Sequence, residues 1–285
     1  MEIIVTGGSG FIGGHLLKSL QEKGHNVVSV DISSGIDVCD WHQIEKISGF
    51  DVVIHLANKI FVPDSYKDPL DFYHTNIVST LNLLELCRVN KAKFIYLSSY
   101  VYGVPEYLPI DETHSVKPFN PYAESKVICE QICHGYSRDF HVPVIIFRPF
   151  NIYGPHQNEI FLIPKMISQA RTGKIVIKDV RPRRDYIHIY DVVEAIGLAL
   201  EYQPENNYEI FNLGFGSSYS VQEVGDIIIS LSDNMVIFES ENEIRQNEVL
   251  DTIACIKKAK HKLNWHPKID IAWGLAEMMG KSCKE

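Results

Sequence analysis

Tyr122-Ala-Glu-Ser-Lys126 sets a phenol and an ammonium group four residues apart, just after Asn120-Pro121, a helix start. That spacing puts both side chains on one face of a helix. A free phenol has a pKa of about 10 and is a poor base at neutral pH. A nearby ammonium stabilises the phenolate and draws its pKa toward the working range. Such a phenolate can take the proton of a hydroxyl while hydride leaves the same carbon, which is the chemistry of interconverting an alcohol and a ketone. Y-x-x-x-K also occurs as an ordinary exposed i,i+4 pair, so the reading needs a third group. Ser98 supplies one, near the end of the apolar run 93–99. In a doubly wound sheet ligands sit outside the carboxyl ends of the strands, and a hydroxyl there can donate to the same substrate oxygen.

Oxidising a carbinol needs a hydride acceptor, and the N-terminus carries a place for one. The apolar run 3–6 leads into Gly7-Gly8-Ser9-Gly10-Phe11-Ile12-Gly13 and then a helical pattern. In a G-x-x-G-x-x-G loop one glycine permits the turn and one lets the backbone approach a pyrophosphate. The third lets helix pack on strand, and the helix N-terminus faces the phosphates. A glycine triplet alone is weak; its place between first strand and first helix is what gives it weight. Gly7, Gly10, Phe11, Ile12 and Gly13 are therefore expected against a dinucleotide. The second apolar run ends at Asp31, followed by Ile32-Ser33-Ser34 without Arg or Lys. A carboxylate there accepts hydrogen bonds from ribose hydroxyls and repels a 2′-phosphate, which selects NAD over NADP.

The elements that position these groups follow the same logic. Apolar runs at 3–6, 26–31, 51–56, 93–99 and 143–148 alternate with helical patterns at 11–23, 71–89 and 122–140. Continuously apolar strands alternating with helices mean a parallel sheet covered on both faces. After about Asn151 the pattern becomes irregular, with helices expected at 161–172, 189–202, 221–231, 256–263 and 271–281. The expected fold is α/β: a Rossmann-type doubly wound parallel sheet over 1–150, with a return segment near 184–202, and a smaller C-terminal α/β substrate domain over the remainder of 151–285.

Net charge is −9 over 285 residues. An acidic chain has no long-range attraction for nucleic acid or anionic membrane, so an anionic substrate must be held by a local cluster of cations. No segment reads as a membrane span and no basic leader opens the chain. The six cysteines lack C-x-x-C spacing, and neither a His nor a second Cys pair joins Cys129 and Cys133 into a metal site. Free thiols in a reducing, cytoplasmic setting are expected, with no metal.

TGGSGFIGGHL, DVVIHLA, LSSYVYG, PYAESK, RPFNIYGP, RRDYIHIYDVVEAI, FNLG and LNWHP occur in this order along nearly the whole chain. With these stretches the chain resembles an extended short-chain dehydrogenase/reductase of the NAD-dependent epimerase/dehydratase family. The resemblance implies NAD in the N-terminal domain, a nucleotide-sugar (UDP-, dTDP- or GDP-linked) in the C-terminal one, and a homodimer built on a four-helix bundle from the helices near 71–89 and 122–140. It implies Ser98 as the catalytic hydroxyl in preference to Ser99, with Tyr122 and Lys126. It sets Asp37 and Val38 beside the adenine, Leu56, Ala57 and Asn58 under the pyrophosphate, and Asn76 and Phe150 on the cofactor side. Ser98, Ser99, Asn151 and Leu162 are then expected at the sugar-nucleotide, and Arg184 and Arg245 at its diphosphate. The chain departs from the family at Asn58, where many members carry Gly or Ala, at Lys178-Asp179-Val180, where the family has GDG, and at Cys255, where an Asp is usual.

The expected reaction is epimerisation, at C4, by hydride abstraction, keto-sugar rotation and hydride return. A nucleotide-4-keto-sugar reductase is the alternative, ahead of a dehydratase or decarboxylase and of a non-catalytic dinucleotide-binding regulator, which loss of Tyr122 or Lys126 would mark. His55 and His188 read as packed or hydrogen-bonded residues.

Overall fold

The computed structural model describes residues 1–243 and 248–281. The chain divides into two compact units, the first made of Met1–Gly103, Ser115–Pro149 and Val193–Phe211. The second holds Val104–His114, Phe150–Val192 and the chain from Asn212 onward. The expected return segment thus starts later, at Val193, and extends further, and 104–114 joins the second unit.

In the first unit, β1 (Glu2–Thr6), α1 (Phe11–Glu22), β2 (Asn26–Val30), α2 (Trp41–Ile44), β3 (Val52–His55), α3 (Val62–Lys67), α4 (Pro69–Asn90), β4 (Lys93–Leu97), α5 (Pro121–Phe140) and β5 (Val144–Pro149) follow one another. The central sheet has six strands in the order Tyr208–Leu213, β5, β4, β3, β1, β2. β1 pairs in parallel with β2 and β3, β3 with β4, and β4 with β5. The strand order reverses at β1, between β2 and β3, so the glycine loop that leaves β1 lies at the switch point where such sheets bind dinucleotides. β3, β4 and β5 are buried at every residue, as continuously apolar strands must be.

Leu83, Leu84 and Cys87 of α4 and Cys129 and Cys133 of α5 pack with Phe94, Tyr96 and Ile146 of the sheet. Burial of each such large apolar side chain contributes about 1.5–3 kcal/mol. Asn120 caps α5, its side chain accepting from the Ala123 N–H at 2.8 Å, with Pro121 in the first turn. The helix ends on His141 in the left-handed region, φ 57°. This start fixes the azimuth of Tyr122 and Lys126, one turn apart.

The second unit has its own core, in which Ile163, Met166 and Ile167 of helix Leu162–Arg171 meet Val224 and Ile228 of helix Val221–Leu231 and Leu275 of helix Ile271–Met278. Strand Asn151–Tyr153 runs parallel to Tyr186–His188, and Lys174–Ile177 to Ile237–Ser240. Ser220 and Glu223 form a capping box. Cys39, Cys87, Cys129, Cys133 and Cys255 are free. Among the described residues no cluster of metal-ligating side chains occurs, and no helix is long and apolar enough to cross a membrane.

Candidate active site

Gly7 has φ +71°, and a Cβ on it would lie 2.8 Å from the Ala57 nitrogen. A Cβ on Gly13 would lie 2.2 Å from the Gly7 carbonyl oxygen. Neither position admits a side chain, because β1, the 56–58 loop and α1 meet there. Thr6 ties the same loop down, its Oγ1 accepting from the Leu56 and Ala57 N–H groups at 3.2 Å. α1 starts at Gly10 in extended geometry with no side-chain cap, and no acidic residue occupies its first turn. The helix therefore presents unsatisfied N–H groups and the positive end of its dipole without a competing carboxylate. Phe11 and Ile12, the first residues of α1, are half-buried.

Asp31 lies at the end of β2 and is buried. Its carboxylate accepts from Ser9 N (3.1 Å), Ser29 Oγ (3.2 Å), Ser33 N (2.9 Å), Ser34 N (3.2 Å) and the Ser33 hydroxyl. The Ser33 hydroxyl is the largest influence holding the Asp31 carboxyl down, to about 2, with burial opposing it and the Ser9 and Ser34 N–H groups assisting. Asp31 thus carries its charge at neutral pH and also fixes the glycine loop through Ser9. Ser33 itself is exposed. Asp37 and Val38 follow in the next loop, where Asp37 accepts from the Cys39 N–H at 2.9 Å and Val38 is buried.

Asn76 is fully buried on α4, its Oδ1 accepting from the Lys59 N–H at 2.8 Å and its Nδ2 donating to Lys59 O (3.2 Å) and Ser125 Oγ (2.9 Å). Its amide ties the Lys59 backbone to Ser125 of α5. Asn58 donates toward His55 Nε2 at 3.3 Å and accepts from the Tyr96 hydroxyl at 3.4 Å. His55 is fully buried and shared between Thr6 Oγ1 (2.8 Å) and Ser79 Oγ (3.2 Å); burial pushes its imidazole well below the usual range. It is a packed residue under the loop.

Lys126 is 2% exposed, and its Nζ donates to the Leu97 carbonyl at 2.9 Å. The ammonium lies 4.8 Å from the Tyr96 ring centre and 6.0 Å from that of Tyr122. Burial pushes it down to about 8. The Tyr122 phenol is raised by burial, while a hydrogen bond with the Ser99 side chain lowers it. Ser98 is buried and its Oγ donates to Glu130 Oε1 at 2.6 Å. Glu130 in turn pairs with Arg148, whose Nη2 lies 2.5 Å from Glu130 Oε2 and whose Nη1 donates to the Tyr102 hydroxyl at 3.1 Å. Tyr100, half-buried, turns its hydroxyl back to Gly103 O at 2.6 Å.

In the second unit, Phe150 is buried and its N–H donates to Leu213 O at 2.8 Å. Asn151 donates its side-chain N–H to Asp185 O at 3.3 Å. Leu162 opens helix Leu162–Arg171 and is half-buried. Arg184 donates to Val249 O at 2.6 Å and pairs with Glu248. Arg245 lies outside the described residues. His188 is fully buried beside Glu277, Tyr153, Tyr190 and Trp273.

Residues 3–214 match the model of the NAD dependent epimerase/dehydratase family. The chain belongs to that family. A putative UDP-glucose 4-epimerase of Methanocaldococcus jannaschii is 33% identical over 97% of each chain. The crystal structure of a UDP-glucose 4-epimerase of Thermotoga maritima with UDP-glucose, 29% identical, superposes with a TM-score of 0.90 over 98% of each chain. That of the Thermus thermophilus UDP-glucose 4-epimerase in complex with NAD, 25% identical, gives a TM-score of 0.88 over 98% of each chain.

In this family member the glycine cradle, the open helix start and the charged Asp31 suit NAD, the family's cofactor. Asp31→Ala is expected to weaken NAD and to narrow its advantage over NADP, because the charge that repels a 2′-phosphate is gone. Titration of both dinucleotides checks this; tighter NADP than NAD binding by the unaltered protein would contradict it. The buried group Ser98–Glu130–Arg148–Tyr102 was not anticipated from the sequence. Its signal was available: Glu130 falls one helical turn after Lys126, on the face that carries Tyr122.

Proposed function

We propose that this family member is a nucleotide-sugar epimerase, acting at C4 of a UDP-linked sugar. The observation that carries the reading is the first unit's arrangement of a half-buried Tyr122 phenol and a buried Lys126 one turn apart on α5, with no carboxylate in Ser98-Ser99-Tyr100-Val101. A dehydratase needs an acid and a base directly after the catalytic hydroxyl to expel water and remove a carbon-bound proton, and that stretch offers neither.

Bound NAD supplies the hydride acceptor for the first half of the reaction and the donor for the second. Tyr122 takes the proton of the sugar hydroxyl as a carbonyl forms at that carbon, while the serine hydroxyl donates to the same oxygen. Lys126 stabilises the phenolate by its charge. The keto-sugar turns about its link to the diphosphate and presents its other face, and Tyr122 returns the proton to the new hydroxyl. No net oxidation results, and atoms and charge return to the starting balance.

Arg184, together with Arg245, holds the diphosphate in this reading, and Asn151 and Leu162 hold the remainder of the nucleotide-sugar. Within the second unit Arg184 is already paired with Glu248, so the phosphate must take that carboxylate's place. A homodimer through α4 and α5 accords with the exposed Leu81, Val89 and Phe140 on those helices, and a reducing cytoplasm accords with the free thiols.

The experiment is incubation with UDP-, dTDP- and GDP-sugars without added cofactor, followed by NMR of the anomeric signals. Interconversion of 4-epimers with no net redox change is expected. Turnover that demands stoichiometric NADH or NADPH would make the protein a reductase, and a 4-keto-6-deoxy product would make it a dehydratase.

A further inference from the structure

Two serines leave β4 in succession, and they face different partners. β4 ends at Leu97, and Ser98 just beyond it is still tied to the sheet, its N–H donating to Phe147 O at 2.8 Å. Its hydroxyl proton is committed to Glu130 Oε1 at 2.6 Å. Glu130 is fixed in turn by the Arg148 Nε at 3.0 Å and by the Arg148 Nη2, and the Arg148 guanidinium lies 5.1 Å from the Tyr102 ring centre. A hydroxyl that is 3% exposed and donates to a carboxylate inside an ion pair has no proton left to offer a substrate, since a hydroxyl carries one donor. Ser99 is half-buried, and its side chain is the neighbour that lowers the Tyr122 phenol against the effect of burial.

We propose that Ser99, and not Ser98, is the catalytic hydroxyl that works with Tyr122, and that Ser98 anchors the end of β4 to the Glu130–Arg148 pair. This rests on Tyr122 as the acid/base of the reaction proposed above. Counting back from Val101-Tyr102-Gly103, the family pattern selects Ser98, whereas the hydrogen bonds select its neighbour. The loop is then one residue shorter between the hydroxyl and Val101 than the family pattern has it. The residues after the catalytic hydroxyl become Tyr100 and Val101, so the absence of a dehydratase acid and base holds under this assignment too. Ser99 donates to the phenolate in the free site and to the substrate oxygen beside it when a sugar is bound, so one proton serves both oxygens without net transfer.

The test separates the serines by a property that does not depend on turnover. In the NAD-loaded protein without substrate, the ionisation of Tyr122 is followed by near-ultraviolet tyrosinate absorbance, each variant being read against its own Tyr122→Phe partner. The charged and titratable groups facing the phenol are Lys126 from α5 and Tyr96 from β4, and both are retained throughout. Ser99→Ala is expected to raise the midpoint by about half to one pH unit, the equivalent of one neutral hydrogen bond, and Ser99→Thr to restore it. Ser98→Ala is expected to leave the midpoint in place and to lower the melting temperature by about 3–10 °C, since Glu130 loses a buried donor. In the epimerisation assay Ser99→Ala is expected to reduce kcat by about tenfold or more with unchanged melting, and Ser99→Thr to recover most of it. A midpoint moved by Ser98→Ala and not by Ser99→Ala overturns the assignment, as does a midpoint moved by neither or equally by both. Should no nucleotide-sugar be turned over, the epimerase reading falls while the titration still decides between Ser98 and Ser99.

Discussion

Tyr122→Phe is expected to fold, to keep NAD and to lose about 10²–10⁴-fold in kcat, the range for removing a positioned acid/base. The fold has little stake in the oxygen. The ring stays on the first turn of α5, Asn120 still caps the helix, and Lys126 still donates to Leu97 O at 2.9 Å. The reaction has a large stake in it. Burial alone pushes the phenol above its usual value, away from the working range. What draws it back is the Ser99 side chain, and the Lys126 ammonium, held near 8 by burial and so still charged at neutral pH, is expected to add to it from 6.0 Å off the ring centre. The sign of the second effect is checkable. Lys126→Met removes a cation, destabilises the phenolate and raises the phenol further, so the ascending limb of the kcat–pH profile moves to higher pH. Near-normal turnover in Tyr122→Phe, or a limb that moves down in Lys126→Met, would take the acid/base role away from Tyr122.

The sheet was legible because its central strands carry their burial in their composition. Val52-Val53-Ile54 and Phe94-Ile95-Tyr96-Leu97 are apolar at consecutive positions, which only a strand covered on both faces requires. Strand Tyr208–Leu213 was not legible. Its residues mix Glu209 and Asn212 among apolar ones, and nothing local says that it closes the sheet beside β5, about sixty residues earlier in the chain. The chemistry divides in the same way. Tyr122 and Lys126 are fixed by one helix, so their spacing suffices. The two serines follow the end of β4 at Leu97, and which partner each meets is set by where that strand ends relative to β5 and α5, which local spacing does not give. Asn76 shows a third case: its hydrogen bonds to the Lys59 backbone and Ser125 join segments far apart in the chain, which no local pattern announces.

Arg148→Met is expected to destabilise the protein by about 3–5 kcal/mol, the usual consequence of leaving one member of a buried ion pair alone. Both side chains of the Arg148–Glu130 pair are 6% exposed. Arg148 makes three contacts to the two Glu130 oxygens, from Nε at 3.0 and 3.2 Å and from Nη2 at 2.5 Å. Its remaining reach goes to the Tyr102 hydroxyl at 3.1 Å. The pair raises the guanidinium above its already high value, although burial opposes its charge. A methionine fills much of the same volume, so cavity formation is a minor part of the loss. The dominant part is electrostatic: among the described residues Glu130 keeps the Ser98 hydroxyl as its one hydrogen-bond donor, inside the core. Denaturant melts at fixed pH measure the effect. The double variant Glu130→Gln/Arg148→Met separates the causes, because a neutral amide in that place removes the stranded charge and should return a large share of the stability. If the single variant melted within about 1 kcal/mol of the parent, the pair would contribute nothing that water does not also supply. If the double variant were no better than the single, the loss would lie in packing against Tyr102 rather than in the charge.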